Sequence, residues 1–131
     1  MVTLAYKKYQ QLLNEKMKLA FQQEEEITKA ASILSHSLST EGWIYACGTG
    51  HSHLLAEEIF YRAGGFARVR PLLLPQLMLH ESATGSTDEE RKEGYAPILF
   101  QDYSISKNDV LLISSNSGRN AVPIELASYA R

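Results

Sequence analysis

Trp43-Ile44-Tyr45-Ala46-Cys47 runs directly into Gly48-Thr49-Gly50-His51-Ser52. The first five residues are apolar without interruption and β-prone, which suits a short strand buried on both faces, as in a parallel sheet. The next five form a glycine-rich turn with hydroxyl side chains. His53 to Ala63 then reads as a helix with Leu54, Leu55, Ile59 and Phe60 turned inward, stopped by Gly64-Gly65. Strand, glycine turn and helix in that order are the opening of an α/β unit.

The pattern recurs downstream. Phe66 to Leu74 is a second strand candidate that reaches Pro75. Gln76 to His80 reads as a short helix. Thr87 with Glu90 makes a capping-box pattern that predicts a helix over Asp88 to Tyr95. Gln101 to Asn108 reads as polar connection. Asp109-Val110-Leu111-Leu112-Ile113-Ser114 is a third strand, apolar on both faces, and runs into Ser115-Asn116-Ser117-Gly118-Arg119-Asn120. A helix follows from Ala121, with Pro123 in its first turn, where a missing N–H costs nothing. The fold class is therefore α/β, a doubly wound parallel sheet. Ligands of such sheets bind beyond the carboxyl ends of the strands, where both glycine- and hydroxyl-rich loops lie.

Upstream, residues 3 to 39 hold neither Gly nor Pro, and apolar residues recur at helical spacing from Leu4 to Leu38. The run Glu24-Glu25-Glu26 suits a helix N-terminus, so two helices with a break near Gln22 or Gln23 are predicted. Tyr6 and Tyr9 enrich a thin apolar stripe on the first. That stripe suits either a second subunit or the sheet of the same chain.

The chain has 131 residues, 44% hydrophobic and 21% charged, which bounds it to one globular domain. A net charge of -2 argues against nucleic acid as the main partner. It leaves small anions open, because backbone dipoles bind phosphate without net positive charge. Cys47 is the only cysteine, so no internal disulfide forms, and no Cys/His cluster indicates a metal. No secretory leader or membrane span is legible, and the expected location is cytoplasmic, with no membrane partner.

The two loops carry the chemistry. In the first, Gly48 and Gly50 allow close backbone approach, Thr49 and Ser52 offer hydroxyls, and His51 and His53 flank the loop within reach of a sugar hydroxyl. A dinucleotide fingerprint would need a third glycine where His53 stands, and a P-loop would need a lysine. In the second, Ser115, Ser117 and Asn120 can donate to phosphate oxygens, as can the amides around Gly118, and Arg119 adds charge. The plainer alternative is a helix cap at Ser117 or Asn120.

Ser115-Asn116-Ser117-Gly118-Arg119-Asn120 resembles the signature loop of SIS (sugar isomerase) domains, which wraps the phosphate of a phosphosugar. Gly48-Thr49-Gly50-His51-Ser52 resembles the first ligand loop of the same family. GTGHSHLLAEEIFYRAGG, LMLHESATGSTDEERKEGYA and SNSGRNAVPIELA are together similar to a phosphoheptose-isomerase-like subgroup, across essentially all 131 residues. The resemblance implies a flavodoxin-like three-layer fold. Residues 1–40 would be a helical lead-in and 41–131 the strand–loop–helix units of the N-terminal part of one SIS domain, since a larger sheet is expected than the strands legible here. It implies an aldose–ketose sugar-phosphate isomerase. The alternatives are a non-catalytic phosphosugar-sensing module, or an etherase or lyase on a phosphorylated amino sugar.

Carried over residue by residue, the resemblance has Ser115, Ser117 and Asn120 contacting phosphate, with Gly118 allowing the tight approach; Asn116 and Arg119 of the same loop are further substrate-binding candidates, Arg119 for its charge. Thr49 and Ser52 would contact phosphate or sugar, and Gly48, Gly50 and His51 of that loop are counted with them as substrate-binding candidates. The family's catalytic glutamate on the helix after the first loop falls at Glu58. The intervening segment is shorter here, which leaves Glu57 open. His80, after the second strand, is the second catalytic candidate. A homodimer or homotetramer and no cofactor are expected; the sequence does not support a divalent metal. The plainer reading of Glu58 is a solvated carboxylate, of His36 a surface residue, of Cys47 an inert small hydrophobe, and of Arg62 and Arg68 structural ion pairs.

Overall fold

A computed structural model describes residues 2–131. The chain divides into two compact units, one ending at Ile33 and one spanning Leu34–Arg131. The first contains α1 (Val2–Phe21) and the start of α2 (Glu24–Ser39). The break falls at Gln22-Gln23, and Glu24, Glu25 and Glu26 occupy the first turn of α2, as the charge pattern predicts. Leu4, Leu12 and Met17 of α1 are exposed.

The second unit is built on a parallel sheet of β1 (Ile44–Gly48), β2 (Val69–Leu72) and β3 (Val110–Ser114), in the order β2-β1-β3. Helices α3 (His53–Ile59), α4 (Ala83–Glu89), α5 (Tyr95–Asp102) and α6 (Ala121–Tyr129) complete it. This is the α/β parallel architecture expected. Every residue of β1 is buried, as its unbroken apolar run demands. Tyr45 and Cys47 join one core with Leu99 of α5 and Val122 and Leu126 of α6. Ile44, Ala46 and Ala56 of α3 are buried outside that cluster. The Tyr45 hydroxyl donates to the Tyr103 carbonyl at 3.0 Å, which satisfies the polar end of a core ring.

Several local expectations are corrected. A single 3₁₀ turn, Gly50–Ser52, precedes α3 and resets its phase, so His53 and Ala56 point inward. Leu54, Leu55 and Phe60, expected inward, are 52%, 49% and 42% exposed. The helix ends at Ile59 rather than Ala63, because Phe60 is extended and Tyr61 adopts φ 52°. β2 is only the Val69–Leu72 core of the predicted strand, and Pro75–Leu77 is one 3₁₀ turn. The helix expected over Asp88–Tyr95 lies earlier, at Ala83–Glu89, where the Ser82 hydroxyl caps it by accepting from the Gly85 amide at 3.1 Å. β3 lies at a sheet edge among the described residues, and each of its residues is half-buried.

The largest departure is α5, over residues read partly as connection. Its first amides, on Gly94, Tyr95 and Ala96, donate to the Glu125 carboxylate of α6 at 2.9, 3.0 and 3.2 Å. This cap comes from about thirty residues downstream, so no local signal announces it.

Candidate functional site

The chain leaves β1, forms β2 on one side, and returns to form β3 on the other. This reversal between β1 and β3 is a topological switch point, where open parallel sheets hold their ligands. Gly48 and Ser114 are register partners. The loops Gly48–Ser52 and Ser115–Asn120 therefore leave the sheet at the same level, side by side.

Local chemistry fixes the first loop. The Ser114 hydroxyl lies 2.6 Å from the Ser52 carbonyl and 3.2 Å from that of Cys47. Gly48 is glycine for room: a Cβ there would lie 2.5 Å from the Ser52 backbone carbon and 2.7 Å from Ser114 Oγ. His53 Nδ1 bonds the Gly50 carbonyl. Thr49 and Ser52 are half-buried at the mouth, and His51 is exposed.

The second loop is open to solvent from Ser115 to Arg119. The Gly118 amide donates to Ser115 Oγ at 3.0 Å, in a turn that holds Gly118 at φ 62°, and the Arg119 amide lies 3.4 Å from Ser117 Oγ. Both hydroxyls accept from the backbone, so each keeps its own proton for an outside acceptor. Asn120 occupies the N-cap position of α6, but its side chain makes no cap hydrogen bond. The carboxamide is thus left for another partner. Arg119 lines an open cleft with Arg91.

Of the catalytic candidates, Glu58 pairs with Arg62 at 3.0 Å, both side chains largely exposed. Its neighbour Glu57 is tied to the first loop instead: Glu57 Oε1 lies 3.3 Å from His53 Nε2. His80 follows β2, and its ring meets that of His53 edge-on with centroids 6.0 Å apart. The structure thus gathers the two loops at the switch point and sets His53, Glu57 and His80 together beside the first, while Glu58 turns to Arg62. Sequence reading set His53 beside the first loop but missed its link to Glu57, and it missed the role of Ser114. The His53–Glu57 spacing of one helical turn was the available signal.

The Cys47 thiol is pushed up to about 12 by burial and is no nucleophile. His36 is exposed, as expected. Arg62 makes its expected ion pair, whereas Arg68 donates to the Glu41 carbonyl and packs on the Trp43 ring at 5.6 Å. Among the described residues no group of three His, Cys, Asp or Glu side chains is placed to hold a metal. No described helix is long and apolar enough to cross a membrane.

Comparison with known proteins gives a consistent picture. A family model described as "SIS domain" matches residues 6–131. A UPF0309 protein of Halalkalibacterium halodurans is 42% identical across the whole chain, which covers 51% of that relative. A UPF0309 protein of Geobacillus thermodenitrificans is 44% identical over 94% of the chain and 50% of its own length. One from Brucella anthropi is 44% identical over 82% of the chain and 44% of its own length. The chain spans about half the length of these curated relatives.

Proposed function

The chain belongs to the SIS domain family, and on that premise we propose that it binds a phosphorylated sugar across the ends of β1 and β3 and interconverts its aldose and ketose forms. The observation that carries the reading is the register of Gly48 with Ser114, which sets two hydroxyl- and glycine-rich loops at one switch point.

In this reading the hydroxyls of Ser115 and Ser117, the carboxamides of Asn116 and Asn120, and the amides around Gly118 surround the phosphate. Arg119 and the N-terminal end of α6 favour its charge. Thr49, His51 and Ser52 take the sugar hydroxyls, with the backbone at Gly48 and Gly50 close to the ring. Isomerisation needs a base to remove the proton beside the carbonyl and an acid to protonate the carbonyl oxygen. In the second half the enediol's other hydroxyl gives up its proton to become the new carbonyl while the neighbouring carbon takes a proton, so none is gained or lost overall. A carboxylate of α3 serves as the base. Sequence resemblance points to Glu58, but the link through His53 to the first loop favours Glu57. His80, packed on His53, supplies the second proton-transfer group.

Self-association belongs to the same proposal, as a homodimer or homotetramer. Leu54, Leu55, Phe60, Tyr61 and Phe66, on α3 and the segment after it, are exposed apolar side chains, and Phe60, Tyr61 and Phe66 line one cleft with Val69.

A thermal-shift panel on the full-length protein tests the ligand class, setting phosphorylated sugars against their unphosphorylated parents. A ligand that binds only the folded state raises its melting temperature by mass action. Stabilisation by phosphosugars alone is the expected result. Equal response to parent and phosphosugar, or none to either, would sink the reading.

A further inference from the structure

His51, His53 and His80 flank the turn after β1, and of these His53 is the buried one, at 4% exposure. Both of its ring nitrogens face acceptors. Nδ1 meets the Gly50 carbonyl, which can only accept, so Nδ1 carries a proton. Nε2 stands 3.3 Å from Glu57 Oε1, which brings imidazole and carboxylate into contact. The ring joins two things that matter to the site: Gly50, held at φ 55°, and a carboxylate of α3. His80 closes the remaining side edge-on, with its own Nε2 4.0 Å from Glu81. Glu57 on the same helix and the His80–Glu81 pair after β2 are the titratable groups the structure sets around it.

We infer that His53 is a positioning residue of the ligand site. Through Nδ1 it sets the conformation of the first loop, and through Nε2 it holds Glu57 against that loop. Occupation of the loop is therefore felt at the carboxylate. This rests on the phosphate-site reading above.

The test uses the full-length protein and inorganic phosphate as the probe. Long-range ¹⁵N–¹H spectra of the histidine rings are recorded during a phosphate titration, for the wild type and for Glu57→Gln and Glu58→Gln. The His53 ring signals are expected to move with phosphate while those of exposed His36 stay still. Glu57→Gln should shift the His53 signals in the absence of phosphate, and Glu58→Gln should not. A folded His53→Gln protein should bind phosphate about tenfold more weakly, the scale of losing contacts to a charged ligand. If that variant fails to fold, the wild-type titration still decides. A normal phosphate response with His53 signals unmoved and insensitive to Glu57→Gln overturns this inference alone. No phosphate effect anywhere in the protein overturns the phosphate-site reading and the inference with it.

Discussion

The Ser114 hydroxyl lies 2.6 Å from the Ser52 carbonyl, tying the end of β3 to the turn that follows β1. One hydroxyl proton serves two nearby carbonyls, of Ser52 and Cys47, at a half-buried position. Ser114→Ala removes the donor and leaves these oxygens without it. The expected loss is about 1–2 kcal/mol of folding stability. Urea unfolding checks it. A variant within a few tenths of a kcal/mol of the wild type would show that water replaces the hydroxyl and that the loops are not tied there.

Gly48→Ala tests the same junction from the other side. Its Cβ would meet the Ser52 carbonyl oxygen at 2.6 Å, an approach that only a backbone shift relieves. Overpacking of this kind costs about 1–3 kcal/mol. The displaced turn should also weaken phosphosugar binding. The same unfolding experiment, paired with titration of the best ligand, separates the two effects.

Glu125 accepts from three successive amides at the start of α5. Glu125→Ala leaves that helix end uncapped and should destabilise by about 2 kcal/mol, with Glu125→Gln losing less. Amide hydrogen exchange gives the sharper check, since Tyr95 and Ala96 should lose protection before the β1 core does.

The same contact explains what the sequence concealed. β1, β3, the loops after them and the start of α6 are each written in neighbouring residues: an apolar run, then glycine and hydroxyls, then Pro123 in the first turn. α5 is legible only if Glu125 is known to reach Gly94. Leu54 and Leu55, read inward from their apolar character, lie outward because α3 turns His53 and Ala56 to the interior. The polar residues of both loops stood out locally, whereas Ser114, which ties the first loop to β3, acts from more than sixty residues away.

Cys47 is buried, and its thiol is raised from the ordinary value of 9.0 to about 12 by desolvation. The folded state thus disfavours the thiolate. Its contribution to stability is complete below the unfolded value and is lost as pH rises from 9 towards 12. At pH 8 the native protein should resist iodoacetamide, with labelling appearing only as urea unfolds it. Rapid labelling without denaturant would contradict the burial.

Ser117→Ala removes one proton donor from the loop read as the phosphate grip, while the hydroxyl sits exposed and carries no core packing. Stability should change little. Affinity for the phosphosugar should fall by about 1.5–3 kcal/mol, or roughly tenfold or more. Calorimetric titration with the best thermal-shift ligand measures it, and unchanged affinity would remove the loop from the site.

Two adjacent carboxylates on α3 give the last prediction its discriminating power. Glu58 is held by Arg62 on the exposed side, and Glu57 is joined to the first loop through His53. A proton taken from a sugar bound at that loop has a path to Glu57 without breaking the Glu58–Arg62 pair. In an isomerase, Glu57→Gln should therefore cut kcat by at least about a hundredfold, the scale of one general base, while leaving the ligand's Kd nearly unchanged. Glu58→Gln should cost far less. Proton exchange at the carbon beside the carbonyl, followed by NMR in D₂O, reads this step directly. The reverse ranking would return the role to Glu58. Binding without exchange in the wild type would make the domain a phosphosugar sensor whose loops are intact and whose carboxylates serve structure.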